Sequence, residues 1–276
     1  MRKYNLGFMQ GRLVDSEKKG RIQYFPEKNW KKEIKIAHAI GFNSMEWTID
    51  EDNIKKNPIF NGKTEEIKFI LNKYKIKVSS ITLDYFMQKP FFKESGSKRK
   101  KLLNNLIKII INGKKIGINK LIIPLVDNSK LKNVDEEDDL ILELKKISKQ
   151  FPSIYFLFES DFKPKKLLLF IKRFKTKNFG INYDTGNSAS LNYNFDDEKI
   201  YFKYVKNIHI KDRLKNSTTV RLGNGNWKYK NFFNYIKKKY KGNFILQTAR
   251  SSDKNHIEEI LLNKKFFEKN YSIWKK

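Results

Sequence analysis

Residues 154–159 read IYFLFE, five apolar or aromatic residues closed by a carboxylate. An apolar run of that length is the mark of a strand buried on both faces. A carboxylate at its last position needs a reason, because buried charge is costly unless it is paired. The same form recurs downstream. FGINYD (179–184) closes on Asp184, VKNIHI (205–210) carries His209 beside its end, and NFILQ (243–247) closes on Gln247. If these four strands are parallel neighbours in a barrel, their terminal side chains converge on one rim.

The rest of the chain extends the pattern in both directions. Strands are predicted at 4–9 (YNLGFM), 42–47 (FNSMEW), 77–83 (KVSSITL) and 120–126 (KLIIPLV), with SIYFLFE (153–159) fifth. Pro124 lacks a ladder donor, so it is expected at the end of its strand or at a bulge. Helical spacing of apolar residues alternates with the strands. It covers 30–40 before the Gly41 stop, a segment capped by Thr64 with Ile67, Ile70, Leu71 and Tyr74 on one face, and 98–116 before Gly117. A helix from Asp135 to Lys149 has its charges ordered to suit the helix dipole, and Pro164 fits the first turn of the next. Further helices fit 196–204, 228–240 and 254–268. Eight strand–helix units in 276 residues make the fold class α/β, a single (β/α)8 TIM barrel with one domain spanning 1–276. An open doubly wound sheet is the alternative, but no glycine-rich turn follows the first strand to hold a nucleotide.

Composition narrows the function classes. With no cysteine, disulfides, thiolate zinc sites and thiol catalysis are excluded. The net charge of +29 suggests a polyanion partner, yet arginine fills only eight of the 59 basic positions and lysine is spread along the chain. Readers of nucleic acid concentrate their charge and use arginine forks. Abundant Lys, Ile, Asn, Phe and Tyr are what AT-rich codons encode, so no specific nucleic-acid partner is expected. No apolar run reaches the length of a membrane span, and the N-terminal apolar stretch is too short for a signal-peptide core. A cytoplasmic protein with no membrane partner is the expectation.

In a barrel of this kind chemistry sits where strands end. Those positions are Gln10 and Arg12, Glu46 with Trp47, Asp84, Asp127, Glu159, Asp184, His209 with Lys211 and Asp212, and Gln247 with Arg250. Two carboxylates, an imidazole and an amide together suit a divalent metal ion. Asp84 and Asp127 read as ordinary loop polarity. His38 reads as a packed helix residue and His256 as a solvated one.

Longer blocks carry a family resemblance. MQGRLV (9–14), NYDTGNSASL (182–191), NIHIKDR (207–213), LGNGNWKYKNFF (222–233) and ILQTAR (245–250) closely resemble the sugar-phosphate isomerase/epimerase family with the xylose isomerase-like TIM barrel. The resemblance implies one divalent ion held by Glu159, Asp184, His209 and, at a place usually taken by a second glutamate, Gln247. It implies manganese first, with magnesium, cobalt or zinc as alternatives. Glu159 becomes the catalytic base, with Lys211 as a second catalytic group. An amide ligates a hard cation but is no base at neutral pH, so Gln247 disfavours two-carboxylate epimerisation and favours single-base isomerisation. The implied substrate is a small sugar or sugar phosphate, contacted by Gln10, Arg12, Glu46, Asn187, Asp212, Arg213 and Arg250. Arg12, Arg213 and Arg250 would anchor a phosphate or carboxylate; the Gly223-Asn224-Gly225 turn lies where barrels often bind phosphate, and it reads equally as a flexible turn before the helix near Trp227. A homodimer is implied by analogy. The alternatives are a metal-assisted sugar dehydratase, a non-catalytic sugar-binding barrel, and an abasic-site endonuclease, which needs more histidines than the three here.

Overall fold

The structure, a computed structural model, describes residues 4–16, 23–51 and 54–273. In chain order the strands are β1 (Asn5–Met9), β2 (Ser44–Thr48), β3 (Lys77–Thr82), β4 (Lys120–Leu125), β5 (Tyr155–Ser160), β6 (Phe179–Asp184), β7 (Val205–Ile210), β8 (Asp212–Arg213), β9 (Thr219–Val220) and β10 (Asn243–Leu246). Eight of them close into a barrel of order β1-β2-β3-β4-β5-β6-β7-β10, every pair parallel. β8 and β9 form a small antiparallel ribbon beyond β7. All eight predicted strands are present. No helix among the described residues is long and apolar enough to cross a membrane.

Parallel strands need crossovers, and helices supply them. Trp30–Ala39, Thr64–Lys73, Gly96–Lys115, Val134–Gln150, Pro164–Lys172, Tyr229–Lys239 and His256–Ile273 match the predicted segments to within a few residues. The crossover after β6 differs. In place of one helix at 196–204 it has three short turns: Thr185–Ser190, Phe195–Glu198 and a 3-10 helix at Lys199–Tyr204. The carboxylate of Asp184 explains the first, because it accepts from the N–H groups of Gly186 and Asn187 and starts a helix directly at the strand end.

Pro124 does not end its strand. It pairs with Glu159, and Leu125 continues the ladder to Ser160. The neighbouring β3 ladder has already stopped at Thr82–Ile122. The carbonyl of Ile122 faces that side, accepting from Leu83 N at 3.0 Å. Pro124, two residues on, faces the same vacant edge, so its missing donor costs nothing.

Side chains alternate across the barrel wall. In β5, Phe156 and Phe158 point outward. Phe158 packs on Phe170 and Phe174 of the next crossover, with ring centroids 5.0 and 4.9 Å away, and Phe170, Phe174 and Phe179 complete the cluster. The inward partner of this alternation is Glu159. Outward packing therefore fixes which residue enters the barrel. Phe158→Ala empties a fully buried site and is predicted to cost about 3–5 kcal/mol, measured by chemical denaturation. A loss below about 1 kcal/mol would contradict this packing account.

Candidate metal centre

The barrel interior near its mouth is polar. Glu46 from β2, Asn182 from β6, and Asn207 and His209 from β7 are all buried there. β2 and β7 are not neighbours in the sheet, so their contacts cross the interior. Glu46 Oε1 lies 2.7 Å from His209 Nε2, and Glu46 Oε2 accepts from Asn207 Nδ2 at 3.1 Å. Asn207 Nδ2 also donates to Asn182 Oδ1 at 2.8 Å. That orients the Asn182 amide, whose Nδ2 donates to Glu159 Oε2 at 2.8 Å and lies 3.0 Å from His209 Nδ1.

Glu159, Asp184 and His209 each offer one ligand atom within 4.8 Å of the others. Asp184 spends Oδ1 on two backbone N–H groups. Its buried Oδ2 accepts no hydrogen bond among the described residues and lies 3.7 Å from Lys211 Nζ. A buried carboxylate oxygen left open beside a second carboxylate and an imidazole suits a divalent cation. Glu46 on Nε2 gives His209 the outer carboxylate partner that metal-ligating histidines commonly have, which leaves Nδ1 for a metal.

The charges are strongly coupled. Burial pulls the His209 imidazole down, but the carboxylates of Glu46 and Glu159 outweigh it and raise His209 to about 10. Burial and the charge of Asp184 push Glu159 up, opposed by His209 and Lys211. Burial also acts to raise Asp184, yet Lys211, His209 and the Asn187 and Gly186 N–H groups hold it below the usual carboxylate range. Glu46 on Nε2 and Glu159 on Nδ1 thus favour the protonated imidazole.

A cavity of about 370 Å3 adjoins this cluster, within the range of roughly 300–1,000 Å3 common for small-molecule sites. Of the residues expected at the site, it is lined by Glu159, Asn187, Lys211, Arg213 and Gln247. Lys211 Nζ donates to Gln247 Oε1 at 3.4 Å, and Gln247 Nε2 donates to Gln23 Oε1 at 2.8 Å. Gly186 lets Lys211 pass, since a Cβ there would meet Lys211 Cδ at 2.6 Å. The Nδ2 of Asn187 has no partner among the described residues. Arg213 hydrogen-bonds the carbonyl of Ser217.

Five expected substrate contacts lie elsewhere. Glu46 is inside the barrel on His209. Gln10 is fully buried and accepts from Thr48 N. Arg12 donates Nε to the Thr248 carbonyl. Arg250 donates to the carbonyls of Gly11 and Val14 and stacks on Tyr24. Asp212 accepts from the N–H groups of Arg213, Gly223, Gly225 and Trp227. The glycine turn thus spends its amides on Asp212, so they are not free for a phosphate. Arg12, Arg250 and Asp212 fasten loops by hydrogen-bonding backbone groups. Two histidines also differ from expectation. His38 is exposed against Tyr74, whereas His256 is buried, with Nε2 3.2 Å from Asp15 Oδ1.

Sequence reasoning missed the amides and one carboxylate. Asn182 and Asn207 stand two residues before Asp184 and His209, on the same strand face, and that spacing is a signal for an inward polar layer. Gln23 lines the cavity from a loop and Asp84 from the start of the short helix Asp84–Gln88, where no strand periodicity marks them.

The model of the xylose isomerase-like TIM barrel family matches residues 34–266. The chain belongs to that family. Among xylose isomerase-like barrels of known structure, a xylose isomerase domain protein from Alicyclobacillus acidocaldarius superposes with a TM-score of 0.76 at 12% identity, covering 98% of this chain and 100% of that one. The D-allulose 3-epimerase from Methylomonas sp., in complex with D-allulose, gives 0.73 at 14% identity, with 97% of each chain covered. The IOLI protein with a bound zinc atom gives 0.72 at 13% identity over 98% of this chain and 99% of that chain. Among curated proteins, none matches the sequence.

The proton on His209 provides a test. A divalent ion must displace it, since metal ligands bind deprotonated. Manganese titration by calorimetry in buffers of different ionisation enthalpy is predicted to show about one proton or more released per ion near neutral pH. Glu46→Gln removes one of the two carboxylates that raise His209, and fewer protons should be released. Equal proton release from the two proteins would contradict the arrangement.

Proposed function

We propose that the chain is a divalent-metal-dependent sugar or sugar-phosphate isomerase of the isomerase/epimerase type. The observation that carries this reading is the meeting of Glu159, Asp184 and His209 beside a cavity of monosaccharide scale. A D-allulose complex among the structural neighbours supports a ketose as the substrate class.

Glu159, Asp184 and His209 would hold the ion, manganese by preference, with the Gln247 amide oxygen as a fourth donor. When bound, the ion supplies Lewis-acid polarisation of a substrate carbonyl and the neighbouring hydroxyl. The remaining chemistry belongs to the chain. Glu159 removes the proton from the carbon next to the carbonyl and returns it to the adjacent carbon, which converts ketose to aldose. Burial favours that role, because a carboxylate raised toward neutrality is the stronger base. Lys211 places a cation near Asp184 and Gln247, where negative charge develops on substrate oxygen. Asn187 offers an unspent donor, and Arg213 stands at the rim for a phosphate. Gln247 cannot take a proton, which favours one-base isomerisation over two-carboxylate epimerisation.

Deuterium incorporation tests this directly. With manganese in heavy water, the wild type is predicted to label carbon-bound positions in at least one of a panel of ketoses and ketose phosphates. Glu159→Gln should abolish both labelling and turnover, and full activity in that variant would remove Glu159 as the base. A second variant addresses the fourth donor. Gln247→Glu adds a carboxylate, so it should tighten the manganese Kd and introduce epimer formation. Weaker binding together with no epimer would count against the role assigned to Gln247.

A further inference from the structure

Aldose–ketose isomerisation moves two protons, one between carbons and one between oxygens. Glu159 accounts for the first only. The cavity holds four carboxylates: Asp84, Asp127, Glu159 and Asp161. Asp161 is engaged by Lys130 Nζ at 2.7 Å. Asp127 and Asp161 are partly exposed, whereas Asp84 is buried. Asp84 follows β3, two strands from Glu159 in the barrel order.

Its surroundings hold it in place. Thr82 Oγ1 donates to Asp84 Oδ1 at 3.1 Å. Gln23 also hydrogen-bonds the Asp84 carboxylate, and its own Oε1 accepts from Gln247 Nε2 at 2.8 Å. Asp84 is therefore linked through one amide to the position where the family usually has a second glutamate.

The geometry points to Asp84 as the group that carries the hydroxyl proton between the two oxygens of the substrate while Glu159 carries the carbon proton. This inference rests on the isomerase reading above. As Glu159 takes the proton from C1, the C1–H electron pair becomes the C1–C2 double bond and the C2 carbonyl π pair moves onto the C2 oxygen, giving an enediolate. The Asp84 carboxylic acid protonates the C2 oxygen, giving a neutral enediol and an Asp84 carboxylate. That carboxylate then takes the proton of the C1 hydroxyl, whose O–H pair becomes the C1 carbonyl, while the C1–C2 π pair takes the proton back from Glu159 at C2. Both side chains end as they began, with no other reactant consumed.

The environment suits this duty. Burial and the charge of Glu159 raise Asp84 to about 7, with Asp50 adding to the rise and the Thr82 and Gln23 hydrogen bonds opposing it. A proton carrier works best with its pKa near the working pH.

The test uses the manganese-loaded full chain and the ketose that the wild type labels fastest. Exchange of the C1 hydrogen with solvent needs only Glu159, whereas interconversion also needs the oxygen proton to move. Asp84→Asn keeps the shape and the Thr82 contact, and is predicted to lower interconversion about 100-fold or more while lowering C1 exchange much less. Asp84→Glu should restore part of the lost interconversion. Interconversion within twofold of wild type in Asp84→Asn, or loss of exchange and interconversion in equal proportion, would overturn the proposal and leave the isomerase reading standing. A wild type that exchanges carbon-bound hydrogen with no ketose would overturn both.

Discussion

Inside the barrel, out of contact with solvent, the His209 imidazole lies between two carboxylates. Glu46 meets one ring nitrogen at 2.7 Å and Glu159 the other at 2.9 Å. Burying such a group is expensive unless its polar atoms are satisfied. Asn182 and Asn207 do much of that, linking β2, β5, β6 and β7 through side chains. TIM barrels commonly fill their interior with branched apolar residues. Here one layer is a charged hydrogen-bonded network, and it ties together strands that are not neighbours in the sheet.

The network also prepares the cluster beside the cavity. Two carboxylates near one another resist joint ionisation, and a positive charge relieves that conflict. Without a cation, His209 carries it as an imidazolium. Lys211, 3.7 Å from Asp184, contributes more from the cavity side. A cation held by Glu159 and Asp184 would take over that charge, and the unprotonated Nδ1 would then be available to it. The same electrostatics thus explain the raised His209, the raised Glu159 and the lowered Asp184. The fourth position, Gln247, is neutral and anchored by Gln23 and Lys211. With Gln247 as the proposed fourth donor, the site would hold one carboxylate fewer than the pattern its sequence resembles.

Much of this was legible in the sequence. Strong alternation in runs such as IYFLFE and VKNIHI marks which side chains turn inward, so Glu159, Asp184 and His209 follow from strand period and barrel closure. Pro124 was misjudged because its harmlessness depends on where the neighbouring ladder stops, a fact outside its own strand. Arg12, Arg250 and Asp212 bind loop backbone for a related reason. A charge at a strand end can face the cavity or bind a loop, and only the backbone carbonyls and amides around it decide which. Asp84 reads from sequence as ordinary loop polarity, since burial by distant residues leaves no local trace. The crossover after β6 broke into short turns because Asp184 caps a helix at once, a consequence of side-chain direction that periodicity does not carry.

We propose that Glu159, Asp184 and His209, from three consecutive strands, share one cation. Anomalous diffraction from crystals grown with manganese tests it most directly. The account predicts a single strong peak bounded by Glu159, Asp184 and His209, with the Gln247 amide oxygen within ligand distance. A map with no peak there at saturating manganese, or with its main peak elsewhere, would contradict it.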